Sequence, residues 1–348
     1  MATKSVRLID LARAANVSIA TASQVMNGSG RVAEGTRERV LETARRLDYR
    51  PNALARSVAS GRSNTVGILA ENASGAFCMP VLVGVNRALS DVDLASTLYD
   101  AQHDGKQRRE HVRRLQSRHV DGVVVIGEGT DFLSASVSHD FPGPVVYAFS
   151  RSDDADDLTT LPDDAFAGGL AAEHFASIGR TRVAHVTAEA RLNSVRDRAR
   201  GLTEGLAERG LSLVEPARHG DFTREWGFTA AKAILADKVD CDAIFAGNDE
   251  IAIGLHAQLL AAGVRVPEDI AIIGVDNKAG QAGSTETFLT TIDLRFDAVG
   301  SAAVELVAAK LAGEEVESTL VPGTLVAGRS TLGGAATPRS LAVEALLG

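Results

Sequence analysis

Apolar and small side chains at Leu8, Leu11, Ala12 and Ala15 recur at helical spacing, and after a short polar break Ala22, Val25 and Met26 repeat the pattern. The spacing predicts two short helices joined by a tight turn. Asn16 stands where the chain must turn sharply, a place for the left-handed backbone that asparagine tolerates better than most residues. Ser18 is the predicted cap of the second helix, its hydroxyl accepting from a first-turn amide. The side chains left facing outward there are Ile19, Ala20, Thr21, Ser23, Gln24 and Asn27. They are small or polar, as suits a helix lying in a DNA major groove. A third amphipathic stretch ends near Leu47 and is followed by Tyr49-Arg50-Pro51-Asn52.

From residue 65 onward the pattern changes to β-rich runs alternating with amphipathic helices. Residues 65–70, 96–99, 123–126, 145–148, 183–186, 243–246 and 270–275 read as strands. Residues 81–89, 108–115, 168–178, 199–208, 226–235 and 251–262 read as helices. Alternation of this kind predicts parallel sheets covered by helices. Two such halves meet near Asp163, and residues 289–294 and 320–326 read as late crossovers between them. Ligands of open α/β sheets bind at the carboxyl ends of strands, so a binding site is expected in the loops between the halves.

Charge divides the chain in the same place. Residues 1–62 hold eleven Lys or Arg against five acids, a net of +6, while the whole chain of 348 residues is −9, which leaves −15 on the remainder. A basic head on an acidic body is the electrostatic footprint of DNA binding.

The tight turn, the Thr36-Arg37-Glu38-Arg39-Val40 helix and the Tyr49-Arg50-Pro51-Asn52-Ala53-Leu54-Ala55-Arg56 segment, in this order, closely resemble the headpiece and hinge of the lactose-repressor (LacI/GalR) family of bacterial transcription regulators. The resemblance runs to about residue 331. It implies a small all-α helix-turn-helix head plus an α/β bilobed, periplasmic-binding-protein-like (type I) core with two parallel-sheet subdomains. The implied domains are a headpiece over residues 1–50, a hinge helix or linker over 51–62, and an effector-binding core over 63–340. Within the core, one subdomain takes residues 63–162 and 292–321 and the other 163–291 and 322–340.

Carried over by position, the resemblance makes Ile19, Ala20 and Gln24 the base-edge readers and puts Thr21, Ser23, Asn27 and Arg31 on phosphates. Glutamine can bridge an adenine edge, and Ile19 and Ala20 can touch a thymine methyl. Many family members carry arginine where Gln24 stands, which implies an operator with a different base at that step. The hinge contributes Asn52, Ala55 and Val58. It is too short to hold a helix by itself, so it is expected to fold on DNA, with Val58 as a shorter minor-groove wedge than the family leucine. Arg7 and Ala33 replace the usual capping residues of the first and third helices, at a cost on the order of 1 kcal/mol for a lost cap.

In the core, Arg198 matches the family arginine that hydrogen-bonds the effector; read by itself it is one of four arginines on a polar helix. Asn248 sits at a strand end before a helix, where Asp249 could equally be a plain N-cap. Asp276 ends the buried run Ile-Ile-Gly-Val-Asp, where a carboxylate can accept from two adjacent hydroxyls, and Phe222 offers a flat apolar face. By family position the loop 71–77 faces the cleft, with Phe77 packing on the ligand and Glu71 standing where the family usually has a small or acidic residue. Trp226 reads as packed on its helix rather than as a ligand contact.

No Gly-x-Ser-x-Gly, His-Glu-x-x-His, Gly-x-Gly-x-x-Gly or Gly-x4-Gly-Lys-Ser/Thr motif occurs, so an enzyme reading has no anchor. His103, His111 and His119 read as solvated surface rather than metal ligands, and the aspartates at 153, 154, 156 and 157 as a solvated turn. Cys78 and Cys241 do not make a disulfide framework, and residues 1–10 do not resemble a signal peptide, so a cytoplasmic protein is expected. The expected function is that of a homodimeric regulator, most simply a repressor, on a pseudo-palindromic operator. It answers to a small carbohydrate-type effector and needs no cofactor or metal. Two alternatives stay open: a purine- or nucleoside-responsive regulator, and an effector-independent architectural DNA-binding protein.

Overall fold

The computed structural model describes residues 6–50, 57, 61–281 and 288–333. The chain divides into two units, residues 1–65 and 66–348. The hinge positions Asn52, Ala55 and Val58 lie outside the described residues.

In the first unit, α1 (Leu8–Ala14), α2 (Ile19–Met26) and α3 (Glu34–Arg46) enclose a core of Leu11, Ala15, Val25, Val40 and Ala44. Asn16 adopts φ 52°, the left-handed turn its position requires, and Ser18 Oγ accepts from the Thr21 amide at 3.0 Å to cap α2. Arg39 Nε donates to the Ala15 carbonyl at 3.1 Å and ties α3 to the end of α1. Ala33 leaves the start of α3 without a side-chain cap. At α1 the loss is only partial, because Asp10 Oδ2 accepts from the Arg7 backbone amide at 3.0 Å, the reciprocal half of a capping box.

The second unit holds two six-stranded sheets. The first runs in the order β13-β7-β5-β3-β1-β2, built from β1 (Thr65–Ala70), β2 (Ala95–Asp100), β3 (Gly122–Ile126), β5 (Val145–Ala148), β7 (Leu158–Pro162) and β13 (Thr319–Val321). The second runs β14-β12-β11-β10-β8-β9, from β8 (Val183–Ala188), β9 (Arg218–Gly220), β10 (Ala243–Ala246), β11 (Ala271–Val275), β12 (Thr290–Asp293) and β14 (Thr324–Val326). Two short strands, β4 (Leu133–Ser134) and β6 (Arg151–Ser152), pair apart from both. Register is parallel between β1 and β3, from Val66 opposite Gly122 to Ala70 opposite Ile126, and between β8 and β10. β14 runs antiparallel to β12. The chain passes between lobes after β7, after β12 and between β13 and β14. Because β12 belongs to the second sheet, the middle crossing falls at Leu294–Arg295.

The helices pack backbone to backbone in pairs. The first lobe pairs α4 (Cys78–Asp91) with α10 (Phe296–Ala312), and α5 (Gly105–Ser117) belongs to the same lobe. The second lobe pairs α6 (Asp164–Ser177) with α7 (Asn193–Ala207), and α8 (Arg224–Ala236) with α9 (Asp249–Ala261). A glycine from each helix meets the other's main chain: Gly84 faces Asp297 and Gly300 faces Val81, Gly168 faces Arg198 and Gly201 faces Ala165, Gly227 faces Ile251 and Gly254 faces Arg224. A Cβ at any of them would overlap the facing carbonyl. These pairs set interhelix distance by backbone contact rather than by interdigitated side chains. The pair at α6 and α7 matters for the site, since the carbonyl against Gly168 is that of Arg198.

Candidate functional site

On the head, the outward residues of α2 form one exposed face. Ile19, nearly half exposed at 49%, Ala20, Gln24 and Asn27 are open to solvent, while Ala22 and Val25 on the opposite side are buried. Thr21 Oγ1 and Ser18 Oγ share a hydrogen bond at 2.8 Å, and Asn27 Nδ2 donates to Ser23 Oγ at 3.3 Å. These short polar groups are thus held in place along the helix, which leaves Gln24 as the long donor and acceptor on the face. Arg31 is exposed beyond the end of α2.

In the second unit a cavity of about 340 Å³ opens between the lobes, and Phe77, Arg198, Phe222, Asn248 and Asp276 all line it. They arrive from five separate stretches of chain. Phe77 precedes α4, Arg198 lies on the buried face of α7, and Phe222 precedes α8. Asn248 and Asp276 follow β10 and β11.

Arg198 is the best-anchored of them. Its Nε donates to Asp164 Oδ1 at 2.7 Å and its Nη1 to the Gly247 carbonyl at 2.6 Å, with both side chains of the ion pair almost wholly buried. Burial works against the charge of Arg198, but Asp164, Asp276 and Asp131 around it hold its pKa above the ordinary arginine value. Burial likewise raises the Asp164 carboxyl, with Arg198 pulling it back. Asp276 is pushed up to about 7, chiefly by burial, with Arg198 again opposing the shift. It sits at φ 104°, a strained backbone for an aspartate, directly after β11. Its carboxyl therefore changes charge near neutrality, within reach of any ligand in the cavity.

Asn248 is the N-cap of α9, its Oδ1 accepting from Ile251 N at 2.9 Å while Nδ2 donates to the Phe222 carbonyl at 3.4 Å. Asp249 is therefore not the cap. It is the first helical residue, and its carboxylate accepts from Thr291 Oγ1 at 2.6 Å and from the Lys278 amide at 2.9 Å.

The apolar wall on the first lobe is a trio of phenyl rings. Phe77 meets Phe149 at 5.6 Å and Phe296 at 4.9 Å, and Phe149 meets Phe296 at 4.8 Å. Phe149 and Phe296 escaped sequence reasoning, as did Thr130, Asp131, Asp164 and Ser194, which also line the cavity. Phe149 directly follows the strand run 145–148, so the strand-end rule, applied to every strand, would have found it, whereas Asp164 comes two residues after β7, a strand the sequence pattern did not show.

Other expectations need correction. Glu71 does not line the cavity; it is buried and paired with Arg108 of α5, so of the loop 71–77 only Phe77 reaches the site. His111 is not solvated surface, because it stacks on Tyr99 with ring centroids 4.7 Å apart and its Nε2 lies 3.2 Å from the Asp100 carbonyl. Trp226, by contrast, needs no correction: it lies outside the cavity lining, as its reading as a packed residue implies, and its indole N–H donates to the Thr187 carbonyl at 3.0 Å.

The family model described as bacterial regulatory proteins, lacI family, matches residues 7–52, and a periplasmic binding protein-like domain matches residues 172–331. The chain is 30% identical over 330 residues to catabolite control protein A of Priestia megaterium, covering 91% of this chain and 96% of that protein. It is 30% identical to the HTH-type transcriptional repressor PurR of Erwinia tasmaniensis (93% and 96% covered) and 28% identical to the ribose operon repressor of Escherichia coli K12 (85% and 90%). Among solved structures it is similar in fold to the lac repressor dimer bound to operator and the anti-inducer ONPF. That match has a TM-score of 0.65 at 22% identity and covers 94% of this chain and 99% of that one. A transcriptional regulator CelR–cellobiose complex matches at TM-score 0.57 and 25% identity, with 93% and 99% covered.

Proposed function

Because the chain belongs to the lacI family of bacterial regulatory proteins, we propose that it is a ligand-responsive transcriptional repressor that binds a pseudo-palindromic operator as a homodimer. The observation that carries the reading is the pairing, in one chain, of an exposed small and polar face on α2 with an interlobe cavity where a buried arginine and two carboxyl groups meet phenyl rings. In this reading residues 1–50 are the head, 51–62 the hinge, and 63–340 the core. Gln24, Ile19 and Ala20 read bases, Thr21, Ser23, Asn27 and Arg31 hold phosphates, and Asn52, Ala55 and Val58 act in the minor groove.

The effector is a small carbohydrate-type molecule. Arg198 and Asn248 donate to its oxygens, Asp276 accepts from adjacent hydroxyls, and the phenyl rings cover its apolar face. A second reading, a purine or nucleoside, is favoured by the same aromatic wall and by the likeness to a repressor named PurR. In this reading the protein is not an enzyme: the relatives it matches are named as transcriptional repressors and a control protein, and Arg198 is anchored by Asp164 as a binding group. It works in the cytoplasm, where its DNA is. Among the described residues no helix is long and apolar enough to cross a membrane.

Selection of bound sequences from a random duplex pool, followed by affinity measurement with and without sugars, polyols and nucleosides, tests the reading. A two-fold symmetric site whose affinity changes with one ligand class is expected. A symmetric site unaffected by every ligand would leave the architectural alternative standing. No enriched sequence would defeat the regulator reading itself.

A further inference from the structure

Three of the long second-lobe helices cap themselves. Asp163 caps α6, Thr223 caps α8 and Asn248 caps α9, each accepting from an amide of its own first turn. α7, the helix that carries Arg198, does not. Its N-cap residue is Leu192, which offers no acceptor, and its first turn holds no acidic side chain. The acceptor comes from the other lobe. Asp131, in the loop after β3, takes the Ser194 amide on Oδ1 at 3.1 Å and the Ser194 hydroxyl on Oδ2 at 2.6 Å. Next to it Asn193 Nδ2 donates to the Thr130 carbonyl at 3.3 Å, and Thr130 Oγ1 lies 3.4 Å from the Asp164 carboxylate that holds Arg198.

We propose that Asp131 is a positioning residue for the ligand cavity: reaching across from the first lobe, its carboxylate serves as the missing N-cap of α7, so closing the lobes and ordering the helix that carries Arg198 are one event. An aspartate satisfies an orphan amide and faces the positive end of the helix. When the lobes part, α7 loses its cap while α6, α8 and α9 keep theirs. Ligand entry and release, which need the lobes apart, are thus coupled to loosening of one helix and no other. The inference rests on reading the cavity as an effector site, but neither the helix cap nor the lobe separation requires a ligand or DNA to be measured.

The test uses the full chain. In Asp131→Ala, amides 193–195 are expected to exchange about fivefold faster by hydrogen–deuterium exchange. The radius of gyration from small-angle X-ray scattering is expected to rise as the lobes separate. Leu192 already has N-cap backbone geometry, φ −74° and ψ 137°, so Leu192→Ser added to Asp131→Ala supplies a cap from within α7. It is expected to restore slow exchange while the lobes stay apart. Asp131→Asn keeps one acceptor oxygen and the shape of the side chain. It should stay close to the parent in both measurements and guards against misfolding as the cause of the alanine result. Unchanged exchange and scattering in Asp131→Ala would overturn the proposal. So would recovery of both by Leu192→Ser, since closure would then not depend on the cross-lobe contact.

Discussion

The two candidate sites are built on opposite principles. The face of α2 comes from thirteen consecutive positions, 19 to 31, whose named residues are mostly solvent-exposed and carry little of the head's packing. The cavity draws its residues from stretches as far apart as Phe77 and Phe296, and Arg198, Asn248 and Asp276 are buried and bonded into the frame that holds them. A site on a surface can change its specificity without changing its fold, whereas a site inside a closed cleft has specificity and stability on the same side chains. Substitutions in the two places should therefore separate cleanly.

The largest effect is expected at Arg198. Arg198→Ala removes the partner of a buried carboxylate, a change that costs about 3–5 kcal/mol when the remaining charge has nowhere to go. Urea unfolding of the core should show it, together with loss of any ligand response. Replacing both partners, Asp164→Leu with Arg198→Met, should return most of that stability but none of the response. Recovery of ligand binding in the double variant would mean that Arg198 serves the frame and not the effector.

Asp276 is next, and its effect depends on pH. Burial raises its folded pKa to about 7 from an unfolded value near 3.8, so folding penalises the ionised form. The stability at stake is fully present below about pH 4 and is lost as pH rises through about 7. Asp276→Asn should thus be more stable than the parent by roughly 2–4 kcal/mol at pH 8, with the difference closing toward pH 4. A gap independent of pH would show that the carboxyl is not the titrating group. The same variant should bind polyhydroxylated ligands more weakly at pH 8, because the amide offers one acceptor where the carboxylate offers two.

Backbone contact sets the third effect. Gly201→Ala inserts a methyl against the Ala165 carbonyl and pushes α7 from α6, at about 1–3 kcal/mol. Since Arg198 and Asp164 sit one on each of these helices, ligand affinity should fall as well. A stable variant with normal affinity would mean that the helix pair tolerates the shift without moving the ion pair.

What the sequence reveals follows the same division. The head was legible almost residue by residue, because turn, cap and helix faces are local: Asn16 in the left-handed region, Ser18 on the Thr21 amide, Ala22 and Val25 inward. In the core the strand runs were legible from their apolar blocks, and the residues placed at strand ends line the cavity. Helix starts were not. α7 begins at Asn193, six residues before the periodic run that predicted it, because its first turn is polar and its cap comes from Asp131, 63 residues back from Ser194 in the chain. Asp164 was hidden for the same reason. Its role exists only where the Gly168 and Gly201 crossing brings it to Arg198. Glu71, expected at the cleft by position in the family, turned instead to Arg108, a partner 37 residues away that no local pattern announces.

The smallest stability effect, and the sharpest contrast, is expected at Gln24. Its side chain is exposed and lies beside Gly30, so Gln24→Ala should change head stability by no more than about 0.5 kcal/mol. On DNA the same change should remove about 1–3 kcal/mol of discrimination at one base pair in each half-site, while the phosphate contacts proposed for Thr21, Ser23 and Asn27 should hold the register. Competition between the selected operator and its single-base variants would show a flattened preference at that position alone. If all variants weakened equally, Gln24 would be a phosphate contact. A loss of head stability would place it in the frame, and the division between a surface that reads and a cleft that holds would fail at the head.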